Sequence, residues 1–204
     1  MTTFYRRRGK RVLDIAGATT ALIVTSPLLL GVAANVRNRM GSPVLFKQQR
    51  PGINGKPFTL LKFRTMRIFE NPANIGQSDA ERITPFGRWL RASSIDELPE
   101  LLNVLRGEMS LVGPRPLLME YLDRYTPEQS QRHSVKPGIT GWAQINGRNS
   151  LSWDEKFALD VWYVKHVSFK IDVQILWRTV IQVIKRSDVS AAGHETMPEF
   201  RPQV

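Results

Sequence analysis

An uncharged, apolar segment of 20 residues lies near the start of the chain, from Ile15 to Ala34. As an α-helix it would be about 30 Å long, which is the thickness of the hydrocarbon core of a bilayer. Basic residues flank it on both sides: Arg6, Arg7, Arg8, Lys10 and Arg11 before it, and Arg37, Arg39, Lys47 and Arg50 after it. Lys and Arg collect on the cytoplasmic side of membranes, so a straight span would place one cluster on the wrong side. The segment therefore predicts a re-entrant membrane helix that returns to the face it entered.

Ser26 and Pro27, in the middle of this segment, are the predicted membrane kink. Proline lacks an N–H and its ring clashes with the preceding turn, so it favours a break there. The hydroxyl groups of Thr25 and Ser26 are available to the backbone groups that the break would free. Two alternatives stay open. One is an ordinary membrane span, and the other is a signal peptide, although the apolar core of a signal peptide usually has only about 7–15 residues.

Composition narrows the functional classes. The 204 residues include no cysteine, which excludes disulfides, thiolate metal sites and a cysteine nucleophile. The formal net charge of +11 suits anionic lipid, phosphorylated small molecules or nucleic acid. Lipid headgroups alone would explain the basic residues of the first dozen positions. A non-enzymatic, membrane-anchored scaffold that binds anions stays open as an alternative, and such binding would weaken steeply with salt.

The pattern after the anchor predicts an α+β, mostly helical domain with one small β-hairpin. Two strands are expected at Val44–Arg50 and Phe58–Thr65, joined by a turn containing Asn54-Gly55, a pair that favours a type I′ turn. Short helices are expected at Pro85–Arg91, Leu98–Arg106, Met119–Tyr125 and Pro127–Ser134, and longer ones at Trp153–His166 and Ile171–Lys185. Residues 113–116 and 136–148 are expected to be loops. We expect residues 1–40 to form the anchor, 41–186 the cytoplasmic catalytic domain and 187–204 a loosely held tail.

Two segments carry more specific expectations. Residues 70–84 are polar and lack periodicity, which predicts a mobile loop that orders over a ligand. The last two helices mix aromatic and basic residues, a pattern typical of helices that lie in the membrane interface. Packing of the same apolar stripes on the domain core is the alternative for those helices.

Asp96 and Glu97 are the strongest candidates for chemistry, because they lie where a helix is expected to begin. One interpretation is structural: Ser94 caps the helix and Glu97 completes a capping box. The other is catalytic, since a carboxylate oriented at a helix N-terminus can attack phosphorus. Attack on a pyrophosphate would require cations that offset the repulsion between negative charges.

Basic residues surround this pair in sequence. Lys62 and Arg64 alternate on the second strand, Arg88 and Arg91 precede the pair, and Arg115 lies between two prolines. Each is a solvated surface charge if taken singly, but together they indicate a phosphate site. Asp160 and Asp172 either hold a metal or orient an arginine, or are a cap or surface charges. Sequence signatures of P-loop, dinucleotide, zinc-protease and hydrolase sites are absent.

Six motifs resemble the bacterial sugar transferases, and more narrowly their small monotopic phosphoglycosyl transferases. They are KRVLD (10–14), Ser26-Pro27, FKQQRPG (46–52), KFRTM (62–66), SSIDELPELLNVLRGEMSLVGPRP (93–116) and KPGITGWAQINGR (136–148). The resemblance extends from about Lys10 to Phe200. It implies an enzyme on the cytoplasmic face of the bacterial inner membrane, whose partners are a UDP-sugar, undecaprenyl phosphate and membrane lipid but no nucleic acid.

The resemblance also implies a two-step mechanism. Asp96 attacks the β-phosphate of the UDP-sugar and expels UMP, and the phosphosugar then passes to undecaprenyl phosphate. Mg²⁺ is required, with Asp96 and Glu97 as its expected ligands. The expected substrate-binding residues are Lys62, Arg64, Arg88, Arg91, Arg115 and Arg148.

The last third of the chain resembles members that use N-acetylated amino sugars, with diacetylbacillosamine-phosphate transferases nearest in appearance. The segments concerned are SWDEKFALDVWYV (152–164), SFKID (168–172) and GHETMPEF (193–200). An N-acetylated amino sugar is therefore the expected donor sugar. Transfer of glucose or galactose phosphate is the alternative within the same family.

Overall fold

A long N-terminal helix and a mostly helical domain with two small sheets make up the fold. The computed structural model describes residues 4–67, 82–147, 150–185 and 199–200. Within these residues the helices are α1 (Lys10–Met40), α2 (Pro85–Ala92), α3 (Glu100–Arg106), α4 (Pro127–Ser130), α5 (Trp142–Ile145), α6 (Trp153–His166) and α7 (Phe169–Lys185). The strands are β1 (Leu45–Pro51), β2 (Pro57–Phe63), β3 (Ser110–Val112) and β4 (Gly138–Thr140). The predicted α+β class with a small hairpin is confirmed.

The hairpin forms as the sequence predicts. β1 and β2 pair antiparallel from Leu45 opposite Phe63 to Pro51 opposite Pro57. Asn54 and Gly55 have φ values of 54° and 74°, and the N–H of Lys56 donates to the carbonyl of Ile53 at 3.2 Å. These are the features of a type I′ turn.

A second, parallel pair was not predicted. β3 pairs with β4. β4 lies inside the segment 136–148, which was expected to be a loop, and α5 follows β4 directly. Each of these strands has only three residues, and Ser110–Val112 is buried throughout. Their pairing joins segments far apart in the chain, which is why local pattern does not reveal it.

The N-terminal helix is continuous through Pro27, so the predicted break is not an interruption of the helix. Pro27 cannot donate to the carbonyl of Ile23, and the hydroxyl of Ser26 donates to that oxygen instead, at 2.8 Å. The hydroxyl of Thr25 donates to the carbonyl of Ala21 at 2.7 Å. The expected satisfaction of a freed backbone group is therefore confirmed for Ser26, whereas Thr25 bonds to a carbonyl that Pro27 does not free.

Both halves of α1 pack on the domain. In the first half, Ala18 is fully buried in the main core with Leu101 of α3 and Leu111 of β3. In the second half, Val32 and Val36 pack with Phe63 of β2 and Leu90 of α2 in a second cluster. Residues 5–40 together form a helix long and apolar enough to cross a bilayer.

Three of the basic residues before the apolar segment bind protein groups rather than pointing only to lipid. Arg6 donates to the carbonyl of Val164 at the end of α6. Arg11 donates to the carbonyls of Val104 and Leu105 at the end of α3. Lys10 forms a 2.6 Å ion pair with buried Asp172. Lipid headgroups therefore do not account for the whole basic cluster.

The end of the chain is held more firmly than expected. Phe200 is 4% exposed in a third cluster formed with Tyr121 and Phe157. Arg124 donates to its carbonyl, and the hydroxyl of Tyr121 accepts its N–H at 3.2 Å. The prediction of a loosely held tail is thus wrong at Phe200, because its aromatic side chain packs in an aromatic cluster.

Most of the loop predicted at residues 70–84 lies outside the described residues, as does Arg148. At the loop's described edges, Met66 and Ile83 form an antiparallel bridge.

Candidate active site

The segment that carries Asp96 and Glu97 is a short turn between α2 and α3. Ser94 has a φ of 56°, a left-handed conformation that is uncommon outside glycine, and a 3₁₀ turn, Ile95–Glu97, follows it. Ile95 packs against the second cluster and Leu98 against the main core. Apolar anchors on either side therefore fix the two carboxylates between them.

The capping interpretation of this segment is wrong. The side chain of Ser94 makes no capping hydrogen bond, and α3 begins only at Glu100. Glu97 bonds to cations instead of to the Ser94 backbone. The two carboxylates are therefore not explained by a helix cap.

Glu97 is held by two of the predicted basic residues. Lys62 Nζ lies 2.6 Å from its Oε1, and Arg115 Nη2 lies 2.5 Å from the same oxygen. These contacts hold the pKa of Glu97 far below its usual range, although burial acts in the opposite direction. Its negative charge in turn raises the pKa of Arg115.

Asp96 has a different environment. It is 8% exposed, and no described side chain forms a hydrogen bond or ion pair with it. Burial, and then the charge of Glu97, raise its pKa to about 6, against the opposing charges of Lys62, Arg115 and Arg91. A buried carboxylate with a raised pKa beside an ionised carboxylate is a typical arrangement of a reactive group.

A third carboxylate, Glu100, was not predicted. Its Oε1 lies 3.2 Å from Lys62 Nζ, and its side chain is 3% exposed. Burial and the charge of Glu97 raise its pKa to about 7. Its spacing of four residues from Asp96 is the sequence signal that would have placed it on the same side of the turn.

Asn103 fixes the strand that carries Lys62. It is fully buried, its Oδ1 accepts the N–H of Leu61 at 3.1 Å, and its Nδ2 donates to the carbonyl of Thr59 at 2.8 Å. One side chain therefore completes the free edge of β2 and positions Lys62 against the carboxylates.

A buried ion pair supports Arg115. Arg132 Nη2 lies 2.7 Å from Asp160 Oδ2 and donates to the carbonyl of Arg115 at 2.8 Å. Of the alternatives for Asp160, orientation of an arginine is the one that the structure shows. Asp172 likewise binds side chains, accepting hydrogen bonds from Tyr5, Lys10 and Tyr163.

The other predicted basic residues lie around this core. Arg91 donates to Thr65 Oγ1 at 3.1 Å, and its charge acts on Asp96. Arg88 is exposed on α2. Arg64 is 4% exposed and donates to the carbonyls of Met40, Gly41 and Ser42. Arg64 therefore binds carbonyl groups at the C-terminal end of α1, and the predicted role in binding phosphate is not what the structure shows.

The carboxylates meet the needs of a magnesium ion only in part. In the described part of the chain, no group of three or more acidic or histidine side chains is arranged to hold a metal. Mg²⁺ usually binds one or two carboxylates and completes its shell with water and substrate phosphates. Asp96, which has no partner among the described side chains, and Glu97 Oε2, whose hydrogen bond from Arg115 is 3.4 Å long, fit that pattern.

Comparison with known proteins identifies the family. A family model described as bacterial sugar transferase matches residues 5–186. The uncharacterized sugar transferase EpsL of Bacillus subtilis (strain 168) is 54% identical over 94% of this chain and 95% of its own length. The UDP-glucose:undecaprenyl-phosphate glucose-1-phosphate transferase of Caulobacter vibrioides is 42% identical over 84% of this chain and 68% of its own length. The undecaprenyl-phosphate galactose phosphotransferase of Salmonella typhimurium is 39% identical over 87% of this chain but only 40% of its own length. The protein therefore belongs to the bacterial sugar transferase family.

Proposed function

We propose that the protein transfers a sugar phosphate from a UDP-sugar to undecaprenyl phosphate through a covalent intermediate on Asp96. The observation that carries this proposal is the unequal pair of carboxylates. Glu97 is ionised and bound by two cations, whereas Asp96 is buried and has no hydrogen-bond or ion-pair partner among the described residues. The names of the Caulobacter and Salmonella relatives support both the acceptor and the type of reaction.

Each step of the proposed reaction exchanges one phosphorus–oxygen bond for another. A carboxylate oxygen of ionised Asp96 attacks the β-phosphorus, and the bond to the bridging oxygen breaks, so UMP departs with that oxygen. A phosphate oxygen of undecaprenyl phosphate then attacks the same phosphorus and releases the carboxylate. Lys62 and Arg115 lie beside the reacting group and would offset its negative charge.

Mg²⁺ fits this site as a partner of the substrate. Asp96 and Glu97 Oε2 would hold it, and when bound it would neutralise diphosphate charge. The position of Arg115 does not depend on the metal, because its side chain is held toward Glu97. The same side chain is 42% exposed. It can therefore reach an incoming phosphate.

The donor sugar has two candidates. The C-terminal motifs favour an N-acetylated amino sugar, and the names of the relatives, which act on glucose or galactose, favour a hexose. UMP release from a panel of UDP-glucose, UDP-galactose, UDP-N-acetylglucosamine, UDP-N-acetylgalactosamine and UDP-diacetylbacillosamine would decide between them.

We also propose that α1 is re-entrant and that the domain lies on the cytoplasmic face of the inner membrane. A helix that crossed the bilayer could not pack both of its halves on one domain, yet α1 packs Ala18 on α3 and β3 and packs Val36 on β2 and α2. Between Leu22, which packs on the main core, and Leu29, which packs on the second cluster, the apolar side chains of Ile23, Val24 and Leu28 are exposed, at 68%, 72% and 43%. Exposed Arg7 and Arg39, near the two ends, suit anionic headgroups.

The last helix supports membrane contact as well. Its exposed large apolar residues are Phe169, Val173, Trp177, Val180, Val183 and Ile184. Most of them are three or four residues apart, on the side of the helix away from buried Ile175. A helix that is apolar on its outer face favours a place in the membrane interface.

The nucleophile can be tested directly by mass spectrometry. Wild type incubated with its UDP-sugar and Mg²⁺, but without acceptor, should gain the mass of a sugar phosphate on Asp96. Asp96→Asn should gain nothing and lose turnover by orders of magnitude, because the amide is a poor nucleophile. Asp123→Asn, a change at an exposed aspartate, is the matched control and should behave like wild type. If Asp96→Asn still turns over at a tenth of the wild-type rate, the two-step mechanism is wrong.

A further inference from the structure

Arg50 belongs to the FKQQRPG motif and has no role in the site described above. In the hairpin, Arg50 lies opposite Phe58, and Lys62 lies opposite Phe46. Residues two or four apart on a strand share a face, as do paired residues on neighbouring strands. Arg50 therefore points to the same face of the hairpin as Lys62.

The guanidinium of Arg50 has no anionic partner in the part of the chain that the structure describes. Its Nη2 donates to Gln48 Oε1 at 2.6 Å, while its Nε is buried and unbonded among the described residues. Burial, and then the positive charge of Arg115, lower the pKa of Arg50. A partly buried cation beside a second cation costs free energy of folding unless an anion binds there.

The position of Arg50 separates it from the membrane helix. Leu45 and Phe63, at one end of the hairpin, pack with α1 in the second cluster. Arg50 lies at the other end, next to Pro51, which together with Arg115 lines a shallow surface depression. Lys62 thus lies toward α1 and Arg50 away from it.

We propose that Arg50 binds the α-phosphate of the UDP-sugar, the group that departs in UMP. This inference rests on the proposed function and adds a ligand for the part of the donor that is not transferred. The two phosphates of a diphosphate share one bridging oxygen, and Arg50 lies near enough to Arg115, the partner of Glu97, for their charges to interact. A β-phosphate beside Asp96 would therefore place the α-phosphate toward Arg50. As the bridging bond breaks, negative charge grows on the UMP oxygen, and a guanidinium stabilises such charge.

The acceptor phosphate is a poorer candidate for this arginine. Undecaprenyl phosphate is held in the membrane and would approach from the side of α1. Arg50 lies at the end of the hairpin remote from α1 and faces the water-soluble substrate. Loss of Arg50 should therefore weaken nucleotide binding and leave transfer to the lipid unchanged.

Calorimetric binding of UMP to the full chain, in detergent with Mg²⁺, tests this inference. Arg50→Met should weaken UMP binding about tenfold or more, and Arg50→Lys should lie between, because it keeps the charge but loses the planar fork. Lys47→Met is the matched control, since Lys47 pairs with Leu61 on the opposite face of the hairpin and is exposed. The melting temperature of Arg50→Met should equal or exceed that of wild type, because no ion pair is lost.

The second step provides an independent measurement. Phosphosugar-enzyme formed beforehand should pass its sugar phosphate to undecaprenyl phosphate at similar rates in Arg50→Met and wild type. The assignment would be overturned if Arg50→Met bound UMP as tightly as wild type. It would also be overturned if Lys47→Met lost as much UMP affinity as Arg50→Met. A slower second step with unchanged UMP affinity would place the acceptor phosphate there instead. Wild type that neither binds UMP nor releases it from any UDP-sugar would overturn the proposed function itself.

Discussion

Two adjacent carboxylates in this protein have opposite electrostatic environments. Lys62 and Arg115 stabilise the ionised form of Glu97, whereas burial and the neighbouring charge disfavour the ionised form of Asp96. A group kept in an unfavourable charge state reduces the stability of the fold. Such a cost is expected where a site is selected for reactivity rather than for stability.

The stability of Asp96→Asn should reveal this cost through its pH dependence. The pKa of Asp96 is raised from 3.8 to about 6, so folding disfavours its ionised form, and wild type loses stability as the pH rises through this interval. Asparagine resembles the protonated form and does not titrate. The variant should match wild type near pH 4 and be more stable by about 1–3 kcal/mol at pH 8.

Denaturant unfolding at the two pH values measures this difference. Asp123→Asn, at an exposed position, should show no comparable change with pH. A helix-capping aspartate would give the opposite sign, since loss of a cap lowers stability by about 1 kcal/mol. Lower stability of Asp96→Asn at pH 8 would therefore contradict the electrostatic argument.

Among the elements, α1 has the most unusual surroundings, because its two halves contact different clusters of the same domain. The proline in its middle is accommodated by a hydroxyl hydrogen bond to the carbonyl of Ile23. The helix is thus neither a free anchor nor an ordinary core helix. Exposed apolar residues occur along the whole helix, and Ile23, Val24 and Leu28 lie between the two regions that pack on the domain.

Single cysteines should place both ends of α1 on one side of the membrane. The chain has no cysteine of its own, so Arg7→Cys and Ser42→Cys would each carry a unique thiol at an exposed position. In inverted and right-side-out vesicles, a membrane-impermeant maleimide should label both only from the cytoplasmic side. Labelling of the two positions from opposite sides would show that α1 crosses the bilayer.

The elements found from sequence are those with local signals. The hairpin follows from its alternating strands and Asn54-Gly55, and α6 follows from its apolar spacing, with the predicted bounds Trp153–His166. The parallel pairing of β3 with β4 was missed because it depends on contacts across the chain. In the site, Asp96, Glu97, Lys62 and Arg115 were found as charged motif residues. Burial decides the roles of Arg64 and Glu100, and sequence does not report burial at single charged positions.

At the scale of the whole molecule, the described residues hold three apolar clusters, and the third includes the end of the chain. Phe200 contacts the rings of Tyr121, Tyr125, Trp153 and Phe157. The hydroxyl of Tyr125 also accepts a 3.4 Å hydrogen bond from Arg132, the residue that supports Arg115. Phe200 therefore packs on the same framework that positions the active site.

Phe200→Ala should destabilise the protein by about 3 kcal/mol or more, because it leaves a cavity among aromatic rings. Thermal unfolding in detergent would measure the change. Phe4→Ala is the control, since Phe4 is 70% exposed and its loss should change stability by less than about 0.5 kcal/mol. Equal melting temperatures for Phe200→Ala and wild type would show that the tail does not contribute to the fold.

The packing of α1 has a practical consequence for any attempt to obtain a water-soluble catalytic fragment. Removing residues 1–40 would expose the surfaces of α3, β2 and β3 that Ala18, Val32 and Val36 cover. It would also leave Ser110 without Asp14 and the buried carboxylate of Asp172 without Lys10. The fragment should aggregate rather than dissolve, because the apolar N-terminal helix also completes the core. If α1 enters the bilayer as proposed, the same helix both attaches the protein to the membrane and supports the fold around Asp96, so an enzyme released from the membrane by truncation would also lose its active site.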